Sequence, residues 1–189
     1  TGNLLCHVGV LKVAHIDRMF VISDSAMTID PTLEQKVDII NNAVDIAQAM
    51  GNENPKVAIL CAVEKVNPKM PCTVDAEELT KMNERGEIKN CIVKGPLALD
   101  NAVSPEAAAH KNIVHPVAGH ADVLITPDLE AGNILNKSME YFGRAEKAGI
   151  IMGAKTPIIL TSRASSDESK LNSIALGVLA AQKLNAGGK

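Results

Sequence analysis

The feature that most constrains the fold is an alternation of short apolar runs with amphipathic, helix-like segments along the 189-residue chain. Most of the apolar runs lack the strict apolar–polar alternation of a half-exposed strand, which is typical of strands covered by helices on both faces. Strands that alternate with helices predict an α/β fold with a largely parallel sheet flanked by helices. The predicted strands cover residues 4–11, 19–23, 56–63, 90–94, 122–126 and 157–161.

The clearest predicted helix lies between the second and third strands. Asp30 is placed to cap its start, Pro31 suits its first turn and Gly51 suits its end. Its apolar residues recur every three or four positions, as one buried helix face requires: Leu33, Val37, Ile40, Val44, Ala47 and Met50. Further helices are predicted over about 75–85, from 104, after 127 and over about 167–184, the last with Leu171, Ile174 and Val178 facing inward.

Composition and charge exclude several classes of function. The chain has one Tyr, two Phe and no Trp, so its core must be aliphatic and aromatic platforms for single-stranded nucleic acid are not expected. A net charge of −3 argues against a nucleic-acid or anionic-membrane surface. No apolar run approaches the roughly 18 residues of a membrane-spanning helix, and no secretory leader is recognisable. We therefore expect a cytoplasmic protein whose partners include neither nucleic acid nor membrane.

The cysteines and histidines show no metal-binding spacing. The chain has four cysteines, far apart and without a CxxC pair: Cys6, Cys61, Cys72 and Cys91. We expect reduced thiols that mostly fill the core, and no metal site, with a structural zinc site as the alternative. His7 and His15 lie in or near apolar runs and are expected to be structural, while His115 and His120 are expected in a loop.

Two strand-to-helix junctions carry most of the functional groups, and in open α/β sheets ligands bind at such junctions. The first, PDLEAGNILNKS (127–138), follows a predicted strand. Asn133 and Lys137 are four residues apart and therefore on one helix face, where an amide and an ammonium would point towards the strand end. Asp128 and Glu130 have two open interpretations: they complement the dipole at a helix start, or they form one wall of a site.

The second junction, SRASSDESK (162–170), follows the last predicted strand. Backbone N–H groups at a helix start, three hydroxyls and a guanidinium together suit an anion. The alternative is simple helix capping by Ser165 or Ser166 with Arg163 in solvent. Because capping requires neither Ser162 nor Arg163, the pattern favours an anion or phosphate site.

Longer stretches of the sequence are specific to one family. The common nucleotide, zinc and hydrolase signatures GxxxxGK[ST], GxGxxG, HExxH and GxSxG are absent. PDLEAGNI, then a lysine, then GAKTPIILTSR, all within residues 117–181, resemble the carboxyl-terminal part of the phosphate acetyl/butyryl transferases. KGPLALDNAVSPEAAAHK (94–111) is similar to the butyryl branch, and FVISDSAMTIDPTLEQKVDII (20–40) also fits the family. The resemblance covers nearly the whole chain and is weakest around residues 64–90.

The resemblance implies an acyltransferase that exchanges acyl-CoA and phosphate with acyl phosphate and CoA, the acyl group being butyryl or branched-chain. Coenzyme A and phosphate would be substrates, with no cofactor. A homodimer is the usual expectation for a cytosolic enzyme. The implied fold is that of the isocitrate/isopropylmalate dehydrogenase-like phosphotransacylases, two α/β domains with the active site between them. The chain is expected to hold the second domain (1–155) and a segment that returns to the first (156–189), with the amino-terminal domain missing.

Residue by residue, the resemblance assigns the catalytic chemistry to Ser162 and Arg163. The arginine would bind phosphate oxygens through its planar guanidinium, and the serine would donate a hydrogen bond to the charge of the tetrahedral intermediate. The aspartate that is the general base in acetyl-branch members aligns with Ser169, so Asp167, or else Glu168, is expected to deprotonate the CoA thiol. The residues expected to bind phosphate or CoA are Asn133, Lys137, Ser165 and Ser166.

Two other functions stay open. A catalytically incompetent transferase-like domain that binds acyl-CoA or mediates oligomerisation would fit the serine at position 169 and the missing front half. A dehydrogenase of the related fold is a more distant alternative. The lack of a dinucleotide fingerprint counts only weakly against it, because that fold need not carry one.

Overall fold

The computed structural model describes residues 4–161 and 166–187, which form a central sheet with helices on both faces. The strands are β1 (Cys6–Lys12), β2 (Met19–Ser23), β3 (Lys56–Leu60), β4 (Ile92–Leu97), β5 (Val123–Ile125), β6 (Glu146–Met152) and β7 (Ile158–Ile159). The helices are α1 (Leu33–Ala49), α2 (Pro71–Glu84), α3 (Leu99–Val103), α4 (Pro105–His110), α5 (Leu129–Tyr141) and α6 (Asp167–Gly187).

The described strands lie in the order β4-β3-β5-β2-β1-β6-β7. The first four are parallel to one another, whereas β1, β6 and β7 are added in antiparallel pairings. The predicted α/β class is confirmed, with a sheet that is parallel where helices connect the strands. β1 and β2 pair antiparallel because only residues 13–18 join them, and a parallel pair needs a longer crossover.

The sheet separates two hydrophobic cores. Along β5, Val123 and Ile125 belong to one core while Leu124 belongs to the other, since successive side chains of a strand point to opposite faces. Helices α1, α2 and α6 contribute to the first core, and α3 and α5 pack on the second. Five strands were predicted within a few residues of their observed positions, and the sixth, 157–161, is reduced to the two residues of β7.

Strand β6 was not predicted from the sequence. Its first residues, starting with Glu146 and Lys147, are polar and only its last three are buried, so the local apolar signal is weak. It forms because all seven of its residues pair with β1, from Cys6↔Met152 to Lys12↔Glu146. Strand formation here follows from long-range pairing, which a local pattern does not report.

Helix α1 confirms the predicted apolar stripe but not the predicted cap. Thr32, and not Asp30, is the N-cap: its Oγ1 accepts from the Gln35 backbone N–H at 3.3 Å, while the Gln35 side chain accepts from the Thr32 N–H at 3.0 Å. This reciprocal capping box starts the helix two residues beyond Pro31. The stripe residues are all buried or packed against the first core: Leu33, Val37, Ile40, Val44, Ala47 and Met50.

Helix α6 packs against β6 and α1, although not through the face predicted. The residues predicted to face inward are at least half exposed: Leu171 (66%), Ile174 (50%) and Val178 (53%). The buried positions are Ser173, Leu176, Gly177 and Ala180. Apolar residues lie on more than one side of this helix, so periodicity alone could not choose the buried side. The division into 1–155 and 156–189 stays a prediction.

The thiols largely behave as expected. All four cysteines are free; Cys6, Cys61 and Cys91 are buried and Cys72 is half-buried. The expectation of core-filling thiols is confirmed for the three buried residues. No helix in the part of the chain that the structure describes has the length and apolar composition needed to cross a membrane.

Candidate functional site

A cleft of about 550 Å³ lies between β1, β6, α5 and the start of α6, on the face of the sheet that carries the second core. The sheet contributes His7 and Gly9 from β1 and Lys147, Ala148 and Gly149 from β6. Gly9 and Gly149 are cross-strand partners, so the floor of the cleft carries no side chain at this pair. The absence of a side chain here makes room for the imidazole of His7, whose Nε2 would lie 2.7 Å from a Cβ on Gly149.

The structure at the start of α5 distinguishes between the two interpretations of Asp128 and Glu130. Asp128 is the N-cap, with its Oδ1 accepting from the Ala131 N–H at 2.8 Å, and Glu130 is exposed in the first turn. Neither side chain lines the cleft. The helix-start interpretation is therefore confirmed for Asp128, and Glu130 is placed to complement the helix dipole.

Gly132 sets how closely α5 approaches the end of β2. A Cβ at this position would collide with the carbonyl oxygen of Asp24 and lie 2.7 Å from Thr126 Oγ1. Thr126 Oγ1 donates to the same Asp24 carbonyl at 3.0 Å. The Asp24 carboxylate in turn accepts from the backbone N–H groups of Ala26, Met27 and Thr28. The glycine therefore lets the helix pack directly on a loop held by hydrogen bonds.

Asn133 and Lys137 both line the cleft, as their shared helix face predicted. Asn133 Nδ2 donates to the Ser25 carbonyl at 3.1 Å, which ties α5 to the loop after β2. Lys137 Nζ lies 3.5 Å from Glu140 Oε2 and 6.0 Å from the centre of the Tyr141 ring. Their placement is confirmed, while their role in binding stays a prediction.

Two lysines share one carboxylate at the edge of the cleft. Glu140 accepts from Lys147 Nζ at 2.6 Å through Oε1 and from Lys137 through Oε2. Partial burial raises the pKa of Glu140, but the hydrogen bond and charge of Lys147, joined by Lys137, outweigh burial and leave that pKa below its usual value. Glu140 is therefore ionised at neutral pH and neutralises one of the two cations. The excess positive charge suits an anion.

His7 is a cleft residue that sequence reasoning treated as structural. Its Nδ1 lies 3.2 Å from Ser25 Oγ, and a Cβ on Gly149 would lie 2.7 Å from its Nε2. Burial, and to a lesser degree Lys147, lower the pKa of His7 despite the opposing charge of Asp24, so the imidazole is neutral at pH 7. The available signal was the alternation in CHVGVLK, which places His7 and Gly9 on one face.

The second junction lies partly outside the described residues, since Ser162, Arg163 and Ser165 are not among them. On either side of it, Thr161 and Ser169 line the cleft. Ser173 Oγ donates to the Ser169 carbonyl at 2.8 Å and accepts from the Gly149 N–H at 3.0 Å, which fixes α6 against the floor of the cleft.

Ser166 and Asp167 are described but are not among the residues that line the cleft, although Ser166 Oγ donates to Oγ of the cleft-lining Ser169 at 3.1 Å. Ser166 Oγ accepts from the Ser169 N–H at 3.2 Å, so it caps α6 as the alternative interpretation stated. Asp167 has a fully exposed side chain that pairs with Lys170 at 2.9 Å, and this pairing lowers the pKa of its carboxyl. Neither residue lines the cleft, and their predicted roles stay predictions. Among the described residues, no group of three or more His, Cys, Asp or Glu side chains could hold a metal ion.

Comparison with known proteins places the chain in a family. Residues 1–178 match the family described as phosphate acetyl/butaryl transferase. The chain belongs to this family. The resemblance inferred from PDLEAGNI and GAKTPIILTSR is thereby confirmed.

Three curated relatives show the extent of the similarity within the transferase family. The phosphate acetyltransferase of Thermotoga maritima is 54% identical over 179 residues, 95% of this chain and 61% of the relative. The phosphate butyryltransferase of Clostridium acetobutylicum is 50% identical, over 96% of this chain and 60% of the relative. A probable phosphate butyryltransferase of Bacillus subtilis is 55% identical, over 97% and 61%. The chain thus spans about three fifths of the length of these relatives.

Solved structures of the family share the fold. A branched-chain phosphotransacylase from Enterococcus faecalis V583 superimposes with a TM-score of 0.85 at 40% identity, covering 94% of this chain and 63% of that one. A phosphotransacetylase from Streptococcus pyogenes gives a TM-score of 0.79 at 27% identity, covering 97% and 55%. The predicted phosphotransacylase fold, present in part, is confirmed.

Proposed function

We propose that the protein exchanges an acyl group between coenzyme A and phosphate, converting acyl-CoA and phosphate into acyl phosphate and CoA. The observation that carries this proposal is the cleft itself, which is bordered by both family-specific segments. Asn133 and Lys137 from PDLEAGNILNKS line one wall, and Thr161, directly before the Ser-Arg pair, lines another. Membership of the transferase family makes this reaction the one that the cleft supports best.

The anionic substrate is proposed to bind where the cations gather. Lys137 and Lys147 present two ammonium groups against the single carboxylate of Glu140. Phosphate and acyl phosphate are compact anions that such a surplus attracts, and the partly buried Lys147, 16% exposed, offers the less hydrated of the two cations. The substrate would then lie beside the imidazole of His7, which packs over the glycine pair.

The family resemblance supplies the remaining assignments. Arg163 is proposed to bind phosphate oxygens in a bidentate manner, and Ser162 to donate to the oxyanion of the tetrahedral intermediate. Ser165 and Ser166 are proposed as further phosphate or CoA contacts, although Ser166 also caps α6. The roles of Ser162 and Arg163 are supported by Thr161, the residue directly before them, which lines the cleft. Asp167 is exposed, is paired with Lys170 and does not line the cleft, which does not favour it as the proton acceptor.

The acyl group is proposed to be butyryl or branched-chain. The phosphate butyryltransferase of C. acetobutylicum and the branched-chain phosphotransacylase of E. faecalis are among its relatives, as is the acetyltransferase of T. maritima. The comparison that tests this is kcat/KM for butyryl-CoA against acetyl-CoA, with the butyryl value expected to be higher. A preference for acetyl-CoA would contradict the acyl assignment and leave the reaction intact.

The reaction is tested with the full-length gene product, by following phosphate-dependent release of the CoA thiol from butyryl-CoA. Omission of phosphate should abolish release. Arg163→Ala should also abolish it, whereas Arg85→Ala, at an exposed arginine paired with Glu78 and Glu87, should not. Full activity of Arg163→Ala would remove the role given to that arginine. Calorimetric binding of CoA without turnover would instead favour the catalytically incompetent domain.

The partners proposed are small molecules: acyl-CoA, CoA and phosphate, with no cofactor. A homodimer in the cytoplasm, binding neither nucleic acid nor membrane, is proposed as the working state. Sedimentation of the full-length protein measures the assembly directly, and a monomer at micromolar concentration would contradict the dimer.

A further inference from the structure

The described lining of the cleft lacks a carboxylate, the group that the family resemblance implies as the general base. None of the described residues that line it is a carboxylic acid, and its ionisable side chains are His7, Lys137 and Lys147. The two lysines pair with Glu140 as cations, and a protonated ammonium has no lone pair to accept a proton. His7 is the one group among these three that offers a free lone pair at neutral pH.

We propose that His7 is the general base that takes the proton of the CoA thiol, with Ser25 holding the imidazole in the required tautomer. This inference rests on the acyl transfer proposed above, and it assigns to the cleft the proton transfer that Ser169 cannot perform. His7 would act on the substrate directly, whereas Ser25 would be a positioning residue.

The hydrogen bond between His7 and Ser25 is compatible with this tautomer, since a serine hydroxyl can accept as well as donate. When Nδ1–H donates to Ser25 Oγ, 3.2 Å away, the lone pair resides on Nε2. Within residues 4–161 and 166–187, Nε2 has no hydrogen-bond partner of its own, and His7 lines the cleft. Ser25 is itself buried, 1% exposed, and its hydroxyl proton can turn into the cleft.

The glycine pair makes room for the His7 ring in the cleft. Nε2 lies above Gly149, where a Cβ would come within 2.7 Å, and Cε1 lies 3.5 Å from where a Cβ on Gly9 would be. His7 and both glycines line the cleft. The same cleft is lined by Lys137 and Lys147, where the acyl phosphate is proposed to bind.

Burial keeps His7 neutral. Desolvation lowers its pKa, the charge of Asp24, after β2, opposes this, and Lys147 on β6 lowers the pKa further, while Lys137 on α5 adds a second cation to the same cleft. A neutral imidazole is the form that can accept a proton from a thiol whose own pKa is about 8.5. The thiolate that results is stabilised by the two lysines.

In the step proposed, the S–H bond of CoA breaks as its proton passes to Nε2 of His7. The thiolate sulfur forms a bond to the carbonyl carbon of the acyl phosphate, giving a tetrahedral intermediate. The C–O bond to phosphate then breaks with its electron pair on the phosphate oxygen. The imidazolium returns its proton to that phosphate, so the products are acyl-CoA and hydrogen phosphate, and the base is restored.

The test compares His7→Gln with His15→Gln, an exposed histidine outside the cleft, in the full-length protein with butyryl phosphate and CoA. General acid–base catalysis typically contributes a factor of about 10²–10⁴. We therefore expect kcat/KM of His7→Gln to fall at least about 100-fold while His15→Gln matches the wild type. The acidic limb of the wild-type pH profile, set by a group titrating below its ordinary pKa, should disappear in His7→Gln. Imidazole added to His7→Ala should restore part of the activity.

The outcomes separate this inference from the proposed function. Activity of His7→Gln within about threefold of the wild type would overturn the role of His7 and leave the acyl transfer standing. A loss of activity with an unchanged acidic limb and no rescue by imidazole would also overturn it, because a structural role predicts that result. Wild-type protein that fails to transfer the acyl group would overturn both. If His7→Gln does not fold by circular dichroism, His7→Asn and the wild-type pH profile decide the question.

Discussion

Gly149 provides the space in which the imidazole of His7 lies, since a Cβ at this position would come within 2.7 Å of Nε2. We expect Gly149→Ala to lower the free energy of unfolding by about 1–3 kcal/mol, the usual cost of overpacking, and to displace the ring. In a His7→Ala background the same change should cost much less, because the colliding ring is gone. Urea unfolding of the four proteins measures this coupling.

The matched control is Gly9→Ala, at the cross-strand partner of Gly149. Its Cβ would lie 3.5 Å from His7 Cε1, an ordinary van der Waals distance, so little destabilisation is expected. Equal costs at the two glycines, or the same cost for Gly149→Ala with and without His7, would contradict the contact described.

Gly132 should be intolerant of any side chain. A methyl group there meets the Asp24 carbonyl and Thr126 Oγ1, neither of which can move without breaking the hydrogen bond between them. We expect Gly132→Ala to destabilise the fold by at least about 1–3 kcal/mol in spite of the better helix propensity of alanine. Ile134→Ala, at a residue 66% exposed on the same helix, should change stability little. Stabilisation by Gly132→Ala in chemical denaturation would show that α5 does not pack this closely.

Lys147 should contribute more to phosphate binding than an exposed lysine does. Its removal deletes a partly buried cation and leaves Glu140 with Lys137 alone at 3.5 Å. Charge-assisted hydrogen bonds are worth about 1.5–3 kcal/mol, so KM for phosphate in Lys147→Ala should rise roughly 10- to 100-fold. Adding Glu140→Gln to this variant should recover part of the affinity by removing the unpaired negative charge. An unchanged KM, or an equal effect of Lys155→Ala on the exposed surface, would argue against the cation cluster as the phosphate site.

The stability of the protein should depend on pH through His7. Because burial lowers the pKa of His7 in the folded state, the unfolded chain binds a proton first as the pH falls through about 6.5. Protonation of His7 therefore has no effect on stability above that pH. It destabilises the folded state progressively between the pKa of His7 in the unfolded chain and its lower pKa in the folded protein. The loss of unfolding free energy between pH 7.5 and 5.5 should be smaller in His7→Gln than in the wild type. Identical pH dependence in urea titrations would show that the imidazole is not held in a desolvated position.

Much of the fold was predictable because its determinants are local. The stripe from Leu33 to Met50 has the period of a helix, and the run 19–23 coincides with β2. The failures occurred where a long-range partner decides the outcome. β6 is a strand because β1 pairs with it, and α6 buries Ser173 and Leu176 because β6 and α1 lie beneath them. A local sequence pattern does not show which residues, distant along the chain, will pair or pack with a segment.

In the candidate site, too, the features that depend on local sequence were predictable and those that depend on distant residues were not. The helix face of Asn133 and Lys137 followed from a spacing of four residues, and the family followed from contiguous stretches such as PDLEAGNI. His7 could not be assigned to the cleft because Gly149, which makes room for it, belongs to a strand that the sequence did not reveal.

The sequence by itself determined the α/β class, the family and the first junction, since each depends on residues that are close together in the chain. The tertiary structure alone decided that Asp128 caps a helix outside the cleft, that Lys137 and Lys147 share Glu140, and that His7 faces the same space. The physical reason is that the cleft is made by pairing β1 with β6 and by packing α5 on the loop after β2. Those contacts join residues more than 100 positions apart, so only the folded chain brings their charges and lone pairs together.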